Sequence, residues 1–272
     1  MSQNRLYVGI DIGSSFTKTI ILDKTKAIIG SNVDFSGVDL QSAAEKTLHA
    51  ALTKEYSLLE VKKIVTTGFG RKNFSLENVS SLPITEISCS AKAANFIYPN
   101  STLTIIDIGG QDTKIIKVHD GRRTSFKMNR KCAAGTGTFL EELALKLRIP
   151  SSDLNKLANQ SSDPKNISSY CTVFAGTEIL TRIREGAKKE DMIRGAFHSI
   201  VKRVIEIDTI ENDVVVTGGV VAHNPVIVDI FKEELDNTIL VPPDPQFFVA
   251  LGAALYAAGS DSGKNTLEIY KR

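Results

Sequence analysis

A nine-residue phrase occurs twice in this sequence. IDIGSSFTK stands at residues 10–18 and IDIGGQDTK at residues 106–114, and six of the nine positions are identical at a constant offset of 96 residues. Because such a match is improbable by chance, we infer an internal duplication. The chain has 272 residues, enough for two compact domains at about 150 residues each.

The elements around each phrase follow one pattern, three strands and then helices. The first copy predicts strands 6–12, 18–23 and 27–33, helix 41–56, strand 62–67, a glycine-rich turn at 68–71 and helix 85–97. The second predicts strands 102–108, 113–118 and 123–129, helices near 136–147, 174–186 and 191–208, strand 213–217, a helix from near Pro225 and a last helix 246–258, with the clearest loop at 159–169. The sequence therefore predicts an α/β protein whose two halves meet near residue 100.

Composition narrows the functional class. Hydrophobic residues make up 42% of the chain and charged residues 24%, which is typical of a globular protein. The net charge is only +2 with dispersed Lys and Arg, so we expect no nucleic-acid partner. No apolar run approaches the roughly 20 residues of a membrane span, and the N-terminus has no signal-peptide pattern, so we expect a cytoplasmic protein without a membrane partner.

Each phrase places an Asp and a Gly at the turn between two strands. Backbone N–H groups of such a turn can face an anion, and Gly permits the close approach of phosphate oxygens. Asp11 and Asp107 could hold Mg²⁺ through its waters. A single Asp-x-Gly is also ordinary turn chemistry, but the duplication favours two phosphate-binding turns. The other common nucleotide signatures, GxxxxGK[ST] and GxGxxG after a strand, are absent.

A third glycine element lies at VVVTGGVVAHNP, residues 214–225. Gly218 and Gly219 stand between a predicted strand and helix, where an adenosine could lie against the backbone. Close packing would explain the same glycine pair. Asn224 is a suitable N-cap for the next helix, and Pro225 suits the first helical turn.

Taken together, these three elements resemble the two phosphate motifs and the adenosine motif of the actin, Hsp70 and sugar-kinase ATPase superfamily, over essentially the whole chain. The resemblance implies an actin-like ATPase fold, with two ribonuclease-H-like domains around a nucleotide cleft. The first domain would be residues 1–100, with the C-terminal segment 246–272 packing back on it. The second would be residues 101–245, carrying two of the cysteines and the adenosine motif.

Two of the three cysteines precede predicted helices. Cys132 and Cys171 are therefore near helix N-termini, whose partial positive charge favours anionic ligands. Two thiolates are too few for a cubane iron–sulfur cluster, which typically takes four, but a twofold dimer supplies two from each subunit. Free cysteines are also often simply buried, and this is our interpretation of Cys89.

The phrases CAAGTGTFLE and CTVFAGTE, after IDIGGQDTK, resemble the ATP-dependent activators of 2-hydroxyacyl-CoA dehydratases and the ATPase subunits of benzoyl-CoA reductases. That resemblance implies a homodimer whose Cys132 and Cys171 hold a [4Fe-4S] cluster between the subunits. It also implies ferredoxin or flavodoxin as electron donor and an iron–sulfur dehydratase or reductase as client. One departure leaves the client open, because Gly176-Thr177 stands where dehydratase activators commonly have Glu-Ser.

The resemblance also assigns nucleotide contacts by position for ATP, ADP and Mg²⁺. The first phosphate site would comprise Asp11, Gly13, Ser14, Ser15 and Lys18, the second Asp107, Gly109, Gly110, Gln111 and Asp112, and further contacts would come from Gly135, Thr136, Gly137, Gly218, Gly219 and Asn224. Gln111 or Asp112 would orient the attacking water.

Two other functions are compatible with this fold. A small-molecule kinase, for a sugar or pantothenate, would transfer phosphate to a hydroxyl substrate and use the cysteines only structurally. An ATP-gated scaffold would bind a client without a redox centre. Neither explains why both cysteines precede helices beside the nucleotide motifs.

Overall fold

The computed structural model of the protein describes residues 5–53, 56–129, 136–167 and 172–259. The strands are β1 (Leu6–Ile12), β2 (Phe16–Leu22), β3 (Ile28–Phe35), β4 (Val61–Thr67), β5 (Ser81–Pro83), β6 (Leu103–Ile108), β7 (Thr113–His119), β8 (Arg122–Asn129), β9 (Asp213–Thr217) and β10 (Ile239–Leu240). The helices are α1 (Leu40–Ala51), α2 (Glu86–Ile97), α3 (Gly137–Leu147), α4 (Leu154–Ala158), α5 (Thr172–Arg184), α6 (Lys189–Ile205), α7 (Gly219–His223), α8 (Val226–Glu234) and α9 (Phe248–Ala258).

The strands form two five-stranded sheets of the same design. One has the order β3-β2-β1-β4-β5 and the other β8-β7-β6-β9-β10. In the first, β1 is antiparallel to β2 and parallel to β4, and in the second β6 is parallel to β9. The duplication therefore extends from the nine-residue phrase to all five strands of each sheet, and the predicted α/β class is confirmed.

The chain divides into two compact units. Unit 1 comprises Met1–Thr102, Val118–Thr124 and Phe247–Arg272, and unit 2 comprises Leu103–Lys117 and Ser125–Gln246. Unit 1 has a core between its sheet and α1 that includes Ile10, Ala44 and Leu48. Unit 2 has a larger core in which β6 and β9 pack with α3, α6 and α8.

The last helix, α9, packs within unit 1 against α2 and the sheet, with backbones in close approach. A Cβ on Gly252 would lie 1.9 Å from the carbonyl oxygen of Cys89, and one on Gly9 would lie 2.2 Å from that of Ala250. Cys89 is fully buried in this contact, and burial raises the pKa of its thiol to about 12. The interpretation of Cys89 as a core residue is confirmed.

Several predicted boundaries differ from the structure. The helix expected at 41–56 ends at Ala51, because Leu52 already has an extended backbone. Four short elements, α4, α7, β5 and β10, were not predicted, since they have at most five residues and show no periodicity.

The prediction that Asn224 caps α8 is wrong. The side-chain amide of Asn224 donates to the carbonyl oxygen of Val220 at 3.1 Å, so it closes the preceding helix α7. The first amide of α8, that of Val226, instead donates to Asn155 Oδ1 at 2.9 Å. A side chain 71 residues away in sequence thus takes the expected role of Asn224.

Candidate functional site

The first predicted phosphate turn joins β1 to β2. Asp11 lies near the end of β1 and is only 5% exposed, and its cross-strand partner on β2 is Lys18. Directly opposed residues of an antiparallel pair project from the same face, so the two side chains meet. Lys18 Nζ donates to Asp11 Oδ2 at 3.0 Å. The seven-residue spacing in the repeated phrase therefore encodes a partly buried ion pair.

The turn itself is closed by one backbone hydrogen bond, from the N–H of Gly13 to the carbonyl oxygen of Phe16 at 3.1 Å. A Cβ on Gly13 would lie 2.7 Å from that oxygen, so the turn is too tight for a larger residue. Ser14 is exposed and Ser15 half-buried. The backbone amides at the tip are thus placed where a ligand can reach them, as an anion-binding turn requires.

The second turn, between β6 and β7, repeats this geometry. Asp107 is 5% exposed near the end of β6, and the N–H of Gly109 donates to the carbonyl oxygen of Asp112 at 2.9 Å. The buried Lys114 lies 3.7 Å from Asp107 Oδ2 and 2.6 Å from Asp112 Oδ1. The second lysine is therefore shared between two carboxylates, while Gln111 is exposed at the tip of the turn.

Helix α3 begins directly on the second turn. The N–H of Gly137 donates to the carbonyl oxygen of Gly109 at 2.9 Å, and both the N–H and the hydroxyl of Thr138 donate to that of Gly110, at 2.8 and 2.7 Å. Thr136 is the buried N-cap residue of α3. Thr136 and Gly137 thus lie beside the second turn, whereas Gly135 lies outside the described residues.

A further pair of glycines was not recognised as matched in the sequence. Gly68 follows β4 and Gly218 follows β9, the strands parallel to β1 and β6. Their φ angles are +89° and +102°, and a Cβ on either would lie 2.4 Å from the carbonyl oxygen of Ile12 or Ile108, respectively. The signal available in the sequence is the dipeptide Thr-Gly after each strand, at 67–68 and 217–218.

The adenosine element predicted at 214–225 is held to the segment before α9. The N–H of Gly218 and the hydroxyl of Thr217 both donate to the carbonyl oxygen of Pro245, at 3.0 and 2.7 Å. Gly219 begins α7, and the nearest atom to a Cβ there would be Gln246 Nε2 at 4.0 Å. The backbone at Gly219 is therefore open on that side, while Asn224 is buried at the far end of α7.

One buried oxygen at the first turn has no hydrogen-bond donor. Among the described residues, none donates to Asp11 Oδ1, although this atom is shielded from solvent. Leaving a buried carboxylate oxygen without a donor costs about 1–3 kcal/mol or more. A turn of the Asp11 side chain would bring this oxygen to a water of a Mg²⁺ ion, and Mg²⁺ in nucleotide sites usually keeps several waters. The residues at the first turn thus fit Mg²⁺ bound through water.

The two predicted cluster ligands, Cys132 and Cys171, lie outside the described residues. Within those residues, no three His, Cys, Asp or Glu side chains come together as direct metal ligands. No helix in the described part of the chain is long and apolar enough to cross a membrane.

Comparisons with known proteins cover nearly the whole chain. The model of the BadF/BadG/BcrA/BcrD ATPase family matches residues 8–257. The (R)-2-hydroxyglutaryl-CoA dehydratase activating ATPase of Acidaminococcus fermentans is 40% identical over 253 residues, which cover 92% of this chain and 96% of that protein. A solved activator of the 2-hydroxyisocaproyl-CoA dehydratase from Clostridium difficile, with bound ADPNP, is 40% identical with a TM-score of 0.85 over 93% of this chain and 94% of that one.

A more distant structure bears on the fold alone. A ROK family glucokinase from Streptomyces griseus is 11% identical with a TM-score of 0.58, over 94% of this chain and 100% of that one. The actin-like ATPase fold expected from the sequence is confirmed.

Proposed function

The chain belongs to the BadF/BadG/BcrA/BcrD ATPase family, and from this premise we propose that it is an ATP-dependent reductive activator. It would hydrolyse ATP and pass a low-potential electron to a partner iron–sulfur enzyme such as a 2-hydroxyacyl-CoA dehydratase. The relatives named as dehydratase activators support this use of ATP, being 40% identical over more than nine-tenths of the chain.

The observation that carries the nucleotide part of the proposal is the matched pair of turns. Each combines a nearly buried Asp, a lysine from the next strand and a glycine-closed turn with reachable amides. In our assignment the amides and lysines of both turns bind phosphate oxygens, and Asp11 and Asp107 hold waters of Mg²⁺. The unpartnered Asp11 Oδ1 supports this role.

Of the two candidates for orienting the attacking water, Gln111 suits the role better. The Asp112 carboxylate accepts a hydrogen bond from the buried Lys114 at 2.6 Å, which fixes it as a structural partner of that lysine. Gln111 is exposed beside it, and its amide can both donate to and accept from a water. Gly218 and Gly219 would leave room for the adenosine against the backbone.

Cys132 and Cys171 are our proposed ligands of a [4Fe-4S] cluster between the subunits of a homodimer, on the resemblance of the phrases around them. When bound, the cluster would supply a one-electron store, loaded by ferredoxin or flavodoxin. Moving one electron about 300 mV uphill requires roughly 7 kcal/mol, more than one local contact provides. A change driven by ATP over a whole subunit interface can supply this amount.

Two residues that follow Cys171 bear on the client. Gly176 and Thr177 differ from the Glu-Ser common in dehydratase activators, and they lie in α5 directly after Cys171. We assign the chain to a 2-hydroxyacyl-CoA dehydratase client because the named relatives serve that class.

Anaerobic purification with iron and sulfide analysis tests this function, together with electron paramagnetic resonance after dithionite reduction. We expect about four irons per dimer, lost in Cys132→Ala and in Cys171→Ala. Cys89→Ala is the matched control, because Cys89 is buried between α2 and α9 and should leave the iron content unchanged. A metal-free dimer from strictly anaerobic preparation would contradict the redox function.

A further inference from the structure

Ser36, which directly follows β3, makes three contacts with the first phosphate turn. Its hydroxyl donates to the carbonyl oxygen of Gly13 at 2.7 Å, and its N–H donates to that of Ser15 at 3.0 Å. Its hydroxyl oxygen also lies 2.9 Å from the hydroxyl of Thr17. Ser36 is only 2% exposed, so these contacts are shielded from water. One buried residue thus contacts the turn at Gly13 and Ser15 and the start of β2 at Thr17.

The direction of each hydrogen bond follows from counting protons. A serine hydroxyl has one proton, and that of Ser36 is used in the bond to Gly13. Ser36 Oγ must therefore accept the proton of Thr17, which is itself fully buried. The hydrogen bonds therefore run in one direction, from Thr17 to Ser36 and from Ser36 to Gly13. No other orientation of the Ser36 hydroxyl proton satisfies both neighbours.

These contacts fix the orientation of two peptide groups. In a trans peptide the N–H points opposite to the carbonyl of the preceding residue, and no peptide bond in the described residues is cis. With the carbonyls of Gly13 and Ser15 turned toward Ser36, the N–H groups of Ser14 and Phe16 point away from it. Ser36 thus directs two backbone donors away from its own side of the turn. Ser14 itself is exposed.

The second turn also has two carbonyls fixed by hydrogen bonds, but from a helix instead of a strand end. There the carbonyls of Gly109 and Gly110 accept from Gly137 and Thr138 at the start of α3, which directs the next two N–H groups away from the helix. In each turn, therefore, two backbone carbonyls are fixed by hydrogen bonds. The donors come from Ser36 after β3 in the first turn and from the start of α3 in the second. This recurrence indicates that the peptide orientation itself is the property required.

We propose that Ser36 is a positioning residue for ATP binding, which holds the first turn with its amides toward the phosphates. The proposal rests on the nucleotide function assigned above. In this role Ser36 would not touch the nucleotide, and it would act only by orienting the peptide N–H groups of Ser14 and Phe16. A hydroxyl at position 36 is required, whereas its exact side chain is not.

Steady-state ATPase kinetics of Ser36→Ala, Ser36→Thr and Thr47→Val, with thermal unfolding of each protein, test the proposal. Thr47 is a matched control, because its buried hydroxyl accepts from Thr19, on the same strand and face as Thr17, without contact to the turn. A variant that only loses folded protein lowers apparent kcat and leaves KM unchanged. A turn that binds phosphate in both substrate and transition state instead changes KM.

We expect Ser36→Ala to raise KM for ATP about tenfold with kcat changed less than about threefold. Ser36→Thr should keep the KM of the wild-type protein. Thr47→Val should lower the Tm without changing KM. An unchanged KM in Ser36→Ala, or an equal rise in Thr47→Val, would overturn the role of Ser36. A wild-type protein that neither binds nor hydrolyses ATP would instead overturn the nucleotide function, so the two failures are distinguishable.

Discussion

Gly68 and Gly218 occupy equivalent positions in the two units, each in close contact with the aspartate of its own proposed phosphate turn. A Cβ on Gly68 would lie 2.6 Å from Asp11 Oδ1, and one on Gly218 would lie 2.7 Å from Asp107 Oδ1. Both have positive φ angles, which residues with a side chain rarely adopt. The duplication has thus kept, in each unit, one glycine whose missing side chain leaves space for a carboxylate.

Replacement of Gly68 should lower the free energy of unfolding by more than backbone strain alone would. Gly68→Ala introduces a methyl group overlapping the Ile12 carbonyl and the Asp11 carboxylate, so we expect a loss of about 3 kcal/mol or more in the free energy of unfolding. The control is Gly37→Ala, where φ is +58° but no atom lies within 4 Å of the added Cβ. That variant should lose only about 1–2 kcal/mol. Urea unfolding measures both, and equal losses would show that the contact with Asp11 has no energetic role.

The packing of α9 on α2 gives a second prediction. Gly252→Ala would place a Cβ 1.9 Å from the backbone carbonyl oxygen of Cys89, so the two helices must separate. We expect a loss of about 3 kcal/mol in unfolding free energy, at the upper end for overpacking. Gly219→Ala is the control, since space is open there and φ is not positive, and it should change stability by less than about 1 kcal/mol. Similar stability of the two variants would contradict the close contact.

The pH dependence of stability should include a contribution from Asp191. Its pKa is held below the usual 3.8, first by the N–H of Asp163, then by the hydroxyl of Ser161 and the N–H of Ser162, with the charge of Lys188 adding to this. A depressed pKa means that the carboxylate stabilises the fold above the unfolded pKa and that this stability is lost as pH falls through the folded one.

Urea unfolding between about pH 6 and pH 3 measures this contribution. The stability difference between wild type and Asp191→Asn should be constant above about pH 5 and should shrink below about pH 4. Asp229→Asn, in an exposed pair with Lys232, should match wild type throughout because such pairs contribute little. A difference for Asp191→Asn that is independent of pH would disprove the titration.

The sequence predicted four of the five strands of each sheet but not the Asp–Lys pairs, although a hairpin of fixed length fixes which residues oppose each other. The equivalence of Gly68 and Gly218 was not predictable, because only the dipeptide Thr-Gly is common to the two copies at that point. Glycine is needed there because each residue approaches the backbone of another strand. Ser36 could not be found for a similar reason. It contacts Gly13 across 23 residues, and only the register of β3 on β2 brings them together.

The residue that caps the start of α8 could not be predicted from the local sequence. Asn224 and Pro225 form a correct local signal for a helix start, yet Asn224 closes α7 and Asn155 takes its place. A five-residue helix gives no periodic signal of its own, so its end was interpreted as the beginning of the next helix. Local propensity identified the boundary but not the partner of each polar group.

We propose that the two turns bind and hydrolyse ATP for a partner enzyme, without an acceptor substrate. Hydrolysis of MgATP by the purified, reduced protein, with no added hydroxyl compound, tests this most directly. We predict ADP and phosphate as products, with kcat lowered at least about 100-fold in both Asp11→Asn and Asp107→Asn and unchanged in Asp229→Asn. Turnover that appears only when a sugar or pantothenate is added, with the phosphate on its hydroxyl, would contradict the account and identify a kinase.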